Sequence, residues 1–254
     1  MVPESVPDAA EFDLTIEEAI ARQRALRARV VLEPPPGFSP RLVAGLDVSM
    51  DRGAEVAYAG IVVLELPTLR VVDATSVVAP LRFPYVPGLL SFRELPVLAA
   101  AWARLRVTPD VLVFDGQGIA HPRRFGIACH GGLLFGRPAI GCAKSILVGT
   151  HDPLPPERGA RAPLVHRREV VGTAIRLRER VSPIFVSPGH LVDLDTAVAV
   201  VESVGTGYRE PETTRRAHAL VNDARRAAKG SLRLVAAPAR PLRLARGTRT
   251  SRAR

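Results

Sequence analysis

Three acids, Asp47, Glu94 and Asp115, stand far apart in the chain, each inside otherwise apolar or small-residue text where a strand or helix would end. Asp47 closes the run Leu42-Val43-Ala44-Gly45-Leu46, and Asp115 closes Val111-Leu112-Val113-Phe114. A lone carboxylate carried into an apolar interior is costly unless something compensates it. A hard divalent cation does so: Mg²⁺ takes carboxylate oxygens, keeps some of its waters and lets phosphate complete its shell. Metal-assisted chemistry on a phosphate is what this trio permits. For either Asp taken singly, an ordinary polar strand terminus or helix cap explains it as well. The segment after Asp115, Gly116-Gln117-Gly118-Ile119-Ala120-His121-Pro122-Arg123-Arg124, joins flexible backbone to a histidine and two cations and reads as a phosphate-facing loop.

Glu94 has a sharper rival explanation. Ser91-Phe92-Arg93-Glu94 has the S-x-x-E spacing of a capping box, which would consume the glutamate in tying down a helix start. Pro96 argues against it, because with Ser91 as the cap the proline would delete an intrahelical hydrogen bond. The helix is therefore expected to start near Pro96, leaving Glu94 just before it and free to turn into a cleft. Upstream, Pro84-Tyr85-Val86-Pro87-Gly88 is a stiff, proline-bracketed aromatic loop. A simple turn explains it; so does an aromatic wedge that stacks in the space left by an extruded base. Lys144, after Gly141-Cys142-Ala143, is either a surface lysine or an ammonium at a strand end, placed to neutralise phosphate charge.

The surrounding text predicts the elements that would position these groups. Residues 14–30 form an amphipathic helix ended by Pro34-Pro35-Pro36, and residues 42–50, 55–66 and 70–79 an antiparallel meander with a turn at Pro67-Thr68. A helix at 97–106, a strand at 111–115, a helix at 124–135 and a strand from Ala139 follow. An exposed loop is expected over 150–163, strands at 169–177 and 183–187, and helices at 193–204 and 213–228. The fold class is α/β, a mixed sheet of antiparallel meander then β/α alternation, flanked by helices.

The chain of 254 residues, 47% hydrophobic, suits a single domain over residues 1–228. Of its net charge of +10, eight charges fall on residues 229–254, which hold no acid; this basic tail, without a sustained apolar period, reads as a disordered extension. Only two cysteines occur, Cys129 and Cys142, so neither a disulfide scaffold nor a thiolate metal site is indicated. An acidic N-terminus and the absence of a long apolar run point to a cytoplasmic protein without a membrane partner. His130, His151 and His166 have no spacing that makes a metal cluster.

Taken in order, residues 84–94, 115–124 and 141–145, with Val186-Ser187-Pro188-Gly189-His190 and 210–218, resemble endonuclease V, a DNA repair family; the match runs from about Ala44 to Asn222. The resemblance implies a ribonuclease H-like fold and Mg²⁺-dependent hydrolysis, with Mn²⁺ as a substitute, of the second phosphodiester bond 3′ to deoxyinosine. It also implies roles. Asp47, Glu94 and Asp115 match the catalytic metal-binding carboxylates, Lys144 the active-site lysine, and His218 a histidine near the metal and attacking water. Tyr85, flanked by Pro84 and Pro87, matches the strand-separating wedge; His121 matches a histidine at the active-site rim, and Gly88 and Gly116 belong to the backbone of the base pocket. Gln117 departs from the family, which usually has histidine there. The implied partner is deoxyinosine-containing DNA, bound by a monomer. Three alternatives stand beside this: an endoribonuclease acting at inosine in RNA, a catalytically inactive nucleic-acid-binding homologue, and a junction resolvase. The retained carboxylates argue against the second and the Pro-Tyr-Val-Pro loop against the third.

Overall fold

The computed structural model describes residues 12–51 and 53–235, with side chains as far as Ala228. In chain order the elements are α1 (Ile16–Arg27), β1 (Leu42–Ser49), β2 (Val56–Glu65), β3 (Arg70–Pro80), α2 (Leu90–Trp102), β4 (Val111–Phe114), α3 (Ile127–Phe135) and β5 (Ala139–Ala143). They continue with β6 (Arg161–His166), β7 (Glu169–Ile175), β8 (Ile184–His190), α4 (Leu194–Ser203) and α5 (Glu212–Val235). The strands form one sheet in the order β3-β2-β1-β4-β5-β8-β7-β6. β1, β4 and β5 are mutually parallel at its centre, and antiparallel meanders flank them on both sides.

Side-chain alternation along the central strands explains the layering. Ala44, Leu46, Leu112 and Phe114 pack into one core with residues of α1, α2 and α3. Their neighbours Val43, Val111 and Val113 face the opposite core with α4 and Ala217 of α5. The same parity sends Asp47 and Asp115 toward the α5 side. α5 lies close because β1 and β2 present glycines beneath it: a Cβ on Gly45 would stand 2.1 Å from the Thr213 carbonyl oxygen, and one on Gly60 2.6 Å from Val221. Gly45→Ala is accordingly expected to push α5 off the sheet and lower stability by about 1–3 kcal/mol, read as a shift in urea midpoint.

Three expectations are corrected. The second helix starts at Leu90, not near Pro96, which lies inside it. The buried face of Leu95, Val97, Leu98 and Ala101 offsets the proline's lost hydrogen bond. The capping box does not form either: Leu89 is the N-cap, and the Ser91 hydroxyl is taken by His130 Nδ1 at 3.0 Å. Part of the expected exposed loop is strand β6, whose Pro163 is tolerated because β6 is a sheet edge. The last helix continues past Ala228 to Val235, into the expected tail; residues 236–254 of that tail lie outside the described residues. Among the described residues no helix is long and apolar enough to cross a membrane, and both cysteines are buried and free.

Candidate functional site

The three parallel strands each deliver one group of the site at their C-terminal ends. Asp47 lies within β1, Asp115 directly follows β4, and Lys144 directly follows β5. Beyond the Leu46–Phe114 pairing only the Asp115 amide still reaches β1, at the Leu46 carbonyl, so a crevice opens there. His218, on α5, closes it from one side, its Nδ1 2.9 Å from Asp47 Oδ2. Glu94, on α2 across the sheet, is near enough to Asp47 and Asp115 to feel both charges. Lys144 Nζ donates to Asp115 Oδ2 at 2.6 Å and stands 3.1 Å from Glu210 Oε2.

The electrostatics separate these acids from structural ones. Burial raises the Asp47 pKa to about 6, and the Asp115 charge adds to the rise against the His218 hydrogen bond. Glu94 is raised well above the ordinary carboxylate value, first by burial and then by Asp47 and Asp115. Glu212 shows the contrary pattern. Hydrogen bonds from Arg215 outweigh burial, Arg216 adds another, and its pKa is held at about 2. Glu212 thus serves as an anchor for the start of α5, whereas Asp47, Glu94 and Asp115 repel one another around a shared space.

That mutual repulsion is what a hard dication would relieve, and carboxylate oxygens are its preferred donors, so the donor set fits a metal such as Mg²⁺. The acids are not, however, gathered into a closed cage. Among the described residues no three His, Cys, Asp or Glu side chains already stand at metal-holding spacing. Asp47 is engaged by His218 and Asp115 by Lys144 instead. Burial disfavours the Lys144 ammonium, but Asp115 and Glu210 outweigh it, so its pKa is raised and it stays cationic.

A pH signature follows. Because the folded protein holds the Asp47 proton up to about pH 6 rather than 3.8, the folded state binds more protons in that window, and stability falls as pH rises through it. This costs the metal-free protein about 3 kcal/mol above pH 6. Because buried His121 and His130, with pKa values lowered to about 4 and about 3, weaken the fold in the opposite direction below pH 6.5, the signature is read as a difference: in thermal melts with chelator Asp47→Asn should gain more over wild type at pH 8 than at pH 5, and Mg²⁺ should restore more stability at pH 8 than at pH 5.

Beside the crevice lies a cavity of about 380 Å³, lined by Tyr85, Pro87, Gly88, Gly116, Gln117 and Lys144 among others. Tyr85 stands over it with 72% of its surface exposed. Gly88 has φ +79° in the turn closed by the Leu89 amide on the Val86 carbonyl, as a Pro-Gly turn of type II requires. His121 is among the residues lining this cavity, with its ring turned inward. It is 3% exposed, under the turn, with Nε2 3.0 Å from the Gly88 carbonyl and Nδ1 accepting from the Arg123 amide. Burial and then Arg123 lower its pKa to about 4, so the ring is neutral. Gln117 donates from Nε2 to the Ser145 carbonyl, and its Oε1 is buried without a partner.

Sequence reasoning missed several participants. Glu210, in the 210–218 stretch with no assigned role, is the second acid on Lys144. Arg209, next to it, donates to the carbonyls of Lys144 and Pro183 and so fixes the loop that carries the lysine. Gln23, on a helix far upstream, carried no signal beyond its place in an amphipathic pattern, yet it is buried against the cavity. His130 is buried, packed among Phe12, Phe92 and Phe125.

Comparison with known proteins covers the stretch of chain that carries this site. The family model of endonuclease V matches residues 24–219. An endonuclease V of Myxococcus xanthus is 60% identical over 221 residues, covering 87% of this chain and 94% of that protein. The crystal structure of an endonuclease V from Streptomyces avermitilis superposes with a TM-score of 0.79 at 47% identity, covering 85% of this chain and 95% of that one. A Ciona intestinalis endonuclease V, crystallised with a 24mer DNA containing an inosine followed by a ribo-adenosine, superposes with a TM-score of 0.69. It is 29% identical, and the match covers 84% of this chain and 98% of that one.

Proposed function

This chain belongs to the endonuclease V family of nucleases, and from that premise we propose that it nicks DNA at the second phosphodiester bond 3′ to deoxyinosine, using Mg²⁺. The observation that carries the reading is the juxtaposition of the repelling carboxylates Asp47, Glu94 and Asp115, paired with Lys144 and His218, and a cavity capped by an exposed tyrosine. The DNA of the Ciona relative contains inosine, which supports that lesion as the substrate.

Asp47, Glu94 and Asp115 would hold the cation, which when bound supplies charge to the attacking and leaving oxygens of the phosphate. Lys144, held cationic at the crevice, is placed to neutralise the phosphate as negative charge develops on it. His218 is anchored through Nδ1 to Asp47 while half of its side chain remains exposed, so Nε2 can take a proton from a water at the phosphate. The extruded base would enter the cavity lined by the Gly88 and Gly116 backbone, and Tyr85 would fill the gap left in the stack. Pro84 and Pro87 stiffen that loop. The protein is proposed to act as a monomer in the cytoplasm, with residues 1–228 as one catalytic domain and the basic tail adding nonspecific affinity for nucleic acid.

A second reading is an inosine-directed endoribonuclease. The ribo-adenosine after the inosine in the Ciona complex favours keeping it. The test is to map products from end-labelled duplexes carrying deoxyadenosine or deoxyinosine, alongside inosine-containing RNA, with Mg²⁺ or chelator. The proposal expects a metal-dependent nick at the second bond 3′ to deoxyinosine; cleavage of RNA alone would replace it with the second reading.

A further inference from the structure

The loop that carries Tyr85 is fastened at both ends. At the near end Arg93 Nη1 donates to the Phe83 carbonyl at 2.5 Å. At the far end the Gly88 carbonyl accepts from three side chains: Gln23 Nε2 at 3.0 Å, His121 Nε2 at 3.0 Å and Arg123 Nη2 at 2.7 Å. Gln23 is the hub of this cluster. Its Nε2 donates also to the Phe125 carbonyl at 3.2 Å, and its Oε1 accepts from Arg123 Nε. Both amide hydrogens and the amide oxygen are therefore engaged, and the residue is 1% exposed. A Cβ at position 88 would stand 3.0 Å from Arg123 Nη2, so the turn and its clamp are fitted to each other.

We propose that Gln23 is a positioning residue for base extrusion: from α1 it locks the Gly88 carbonyl and the Arg123 guanidinium into one arrangement and so sets the Tyr85 wedge against the cavity. The inference rests on the reading of Tyr85 as the wedge and adds the element that holds it. No other side chain substitutes easily. Glutamate would accept from Arg123 but face two carbonyls without a hydrogen to donate, and asparagine is one methylene too short. Leucine keeps the volume and leaves the Phe125 carbonyl and Arg123 Nε unpaired.

The clamp matters when a duplex has to be opened, not when the strand is already single. The experiment is single-turnover cleavage, with Mg²⁺, of deoxyinosine in duplex and in single-stranded DNA by the full chain, Gln23→Leu and Tyr85→Ala. The expected result is a duplex-to-single-strand rate ratio about tenfold below wild type for Gln23→Leu, as one buried hydrogen-bond network is lost, with Tyr85→Ala showing a fall of the same kind. A role confined to stability would lower both rates together. An unchanged ratio in Gln23→Leu beside a reduced one in Tyr85→Ala would overturn the inference and leave the wedge standing. An unchanged ratio in Tyr85→Ala would overturn the wedge reading and the inference with it. Should Gln23→Leu melt below the assay temperature, Arg123→Lys, which keeps the charge but loses the fork that spans Gln23 and Gly88, is held to the same ratio.

Discussion

Replacing Asp47 with Asn is expected to slow cleavage of a deoxyinosine duplex by at least about a thousandfold, roughly the 4 kcal/mol that loss of a cation-holding carboxylate should remove from transition-state stabilisation. The same change should stabilise the metal-free protein at pH 8 by about 1–3 kcal/mol. The two effects share one cause. Asp47 is 8% exposed, and with Asp115 beside it its pKa stands at about 6, so at neutral pH the fold carries a charge it disfavours. Asparagine keeps an oxygen for the His218 contact and removes that charge. Binding of the lesion duplex should survive, because phosphate contacts and the cavity are untouched. Single-turnover kinetics with gel-shift titrations read the first effect and urea unfolding in chelator the second. A variant that cleaves at the wild-type rate would remove Asp47 from the site.

Lys144→Met should also abolish most activity, by about a hundredfold or more, but with the opposite effect on stability. Methionine keeps the aliphatic stem and removes the ammonium. Asp115 and Glu210 then lose the cation that stands 2.6 and 3.1 Å from their oxygens. The metal-free fold should lose about 1–2 kcal/mol, a discounted figure because all three side chains remain partly exposed. Unfolding curves for the two variants thus move in opposite directions while both rates collapse, a pattern that general damage to the fold would not produce. If Lys144→Met retained full activity, phosphate neutralisation would have to be assigned elsewhere.

The legible part of this protein is the part written in short-range patterns. Asp115 was readable because the all-apolar run before it is a central strand buried on both faces, which carries a charge only at its end. Asp47 was readable for the same reason, though its strand runs on to Ser49. The meander of β1 to β3 and the absence of a disulfide between the two cysteines followed from equally local signals.

What escaped depended on contacts that no window of sequence contains. Ser91 fits a cap, but His130, from another helix, takes its hydroxyl; Pro96 reads as a helix start, but the core beneath α2 outweighs the hydrogen bond it removes. Glu94 reached the site by neither route considered, lying inside α2 rather than before it. The resemblance puts His121 at the rim, and it does line the cavity, but that its ring turns inward to the Gly88 carbonyl could not be read from sequence. Gln23 and Glu210 are invisible for the same reason: each acts through a partner dozens of residues away.

The central claim is that Asp47, Glu94 and Asp115 act together as one cation site, although Lys144 and His218 engage two of them. Calorimetric titration of Mn²⁺, as a Mg²⁺ surrogate, into the wild-type chain and into Asp47→Asn, Glu94→Gln and Asp115→Asn tests this directly. The account predicts one class of site whose affinity falls at least about tenfold in each variant, since each loses a charged ligand. Unchanged affinity in any one of the three would contradict it.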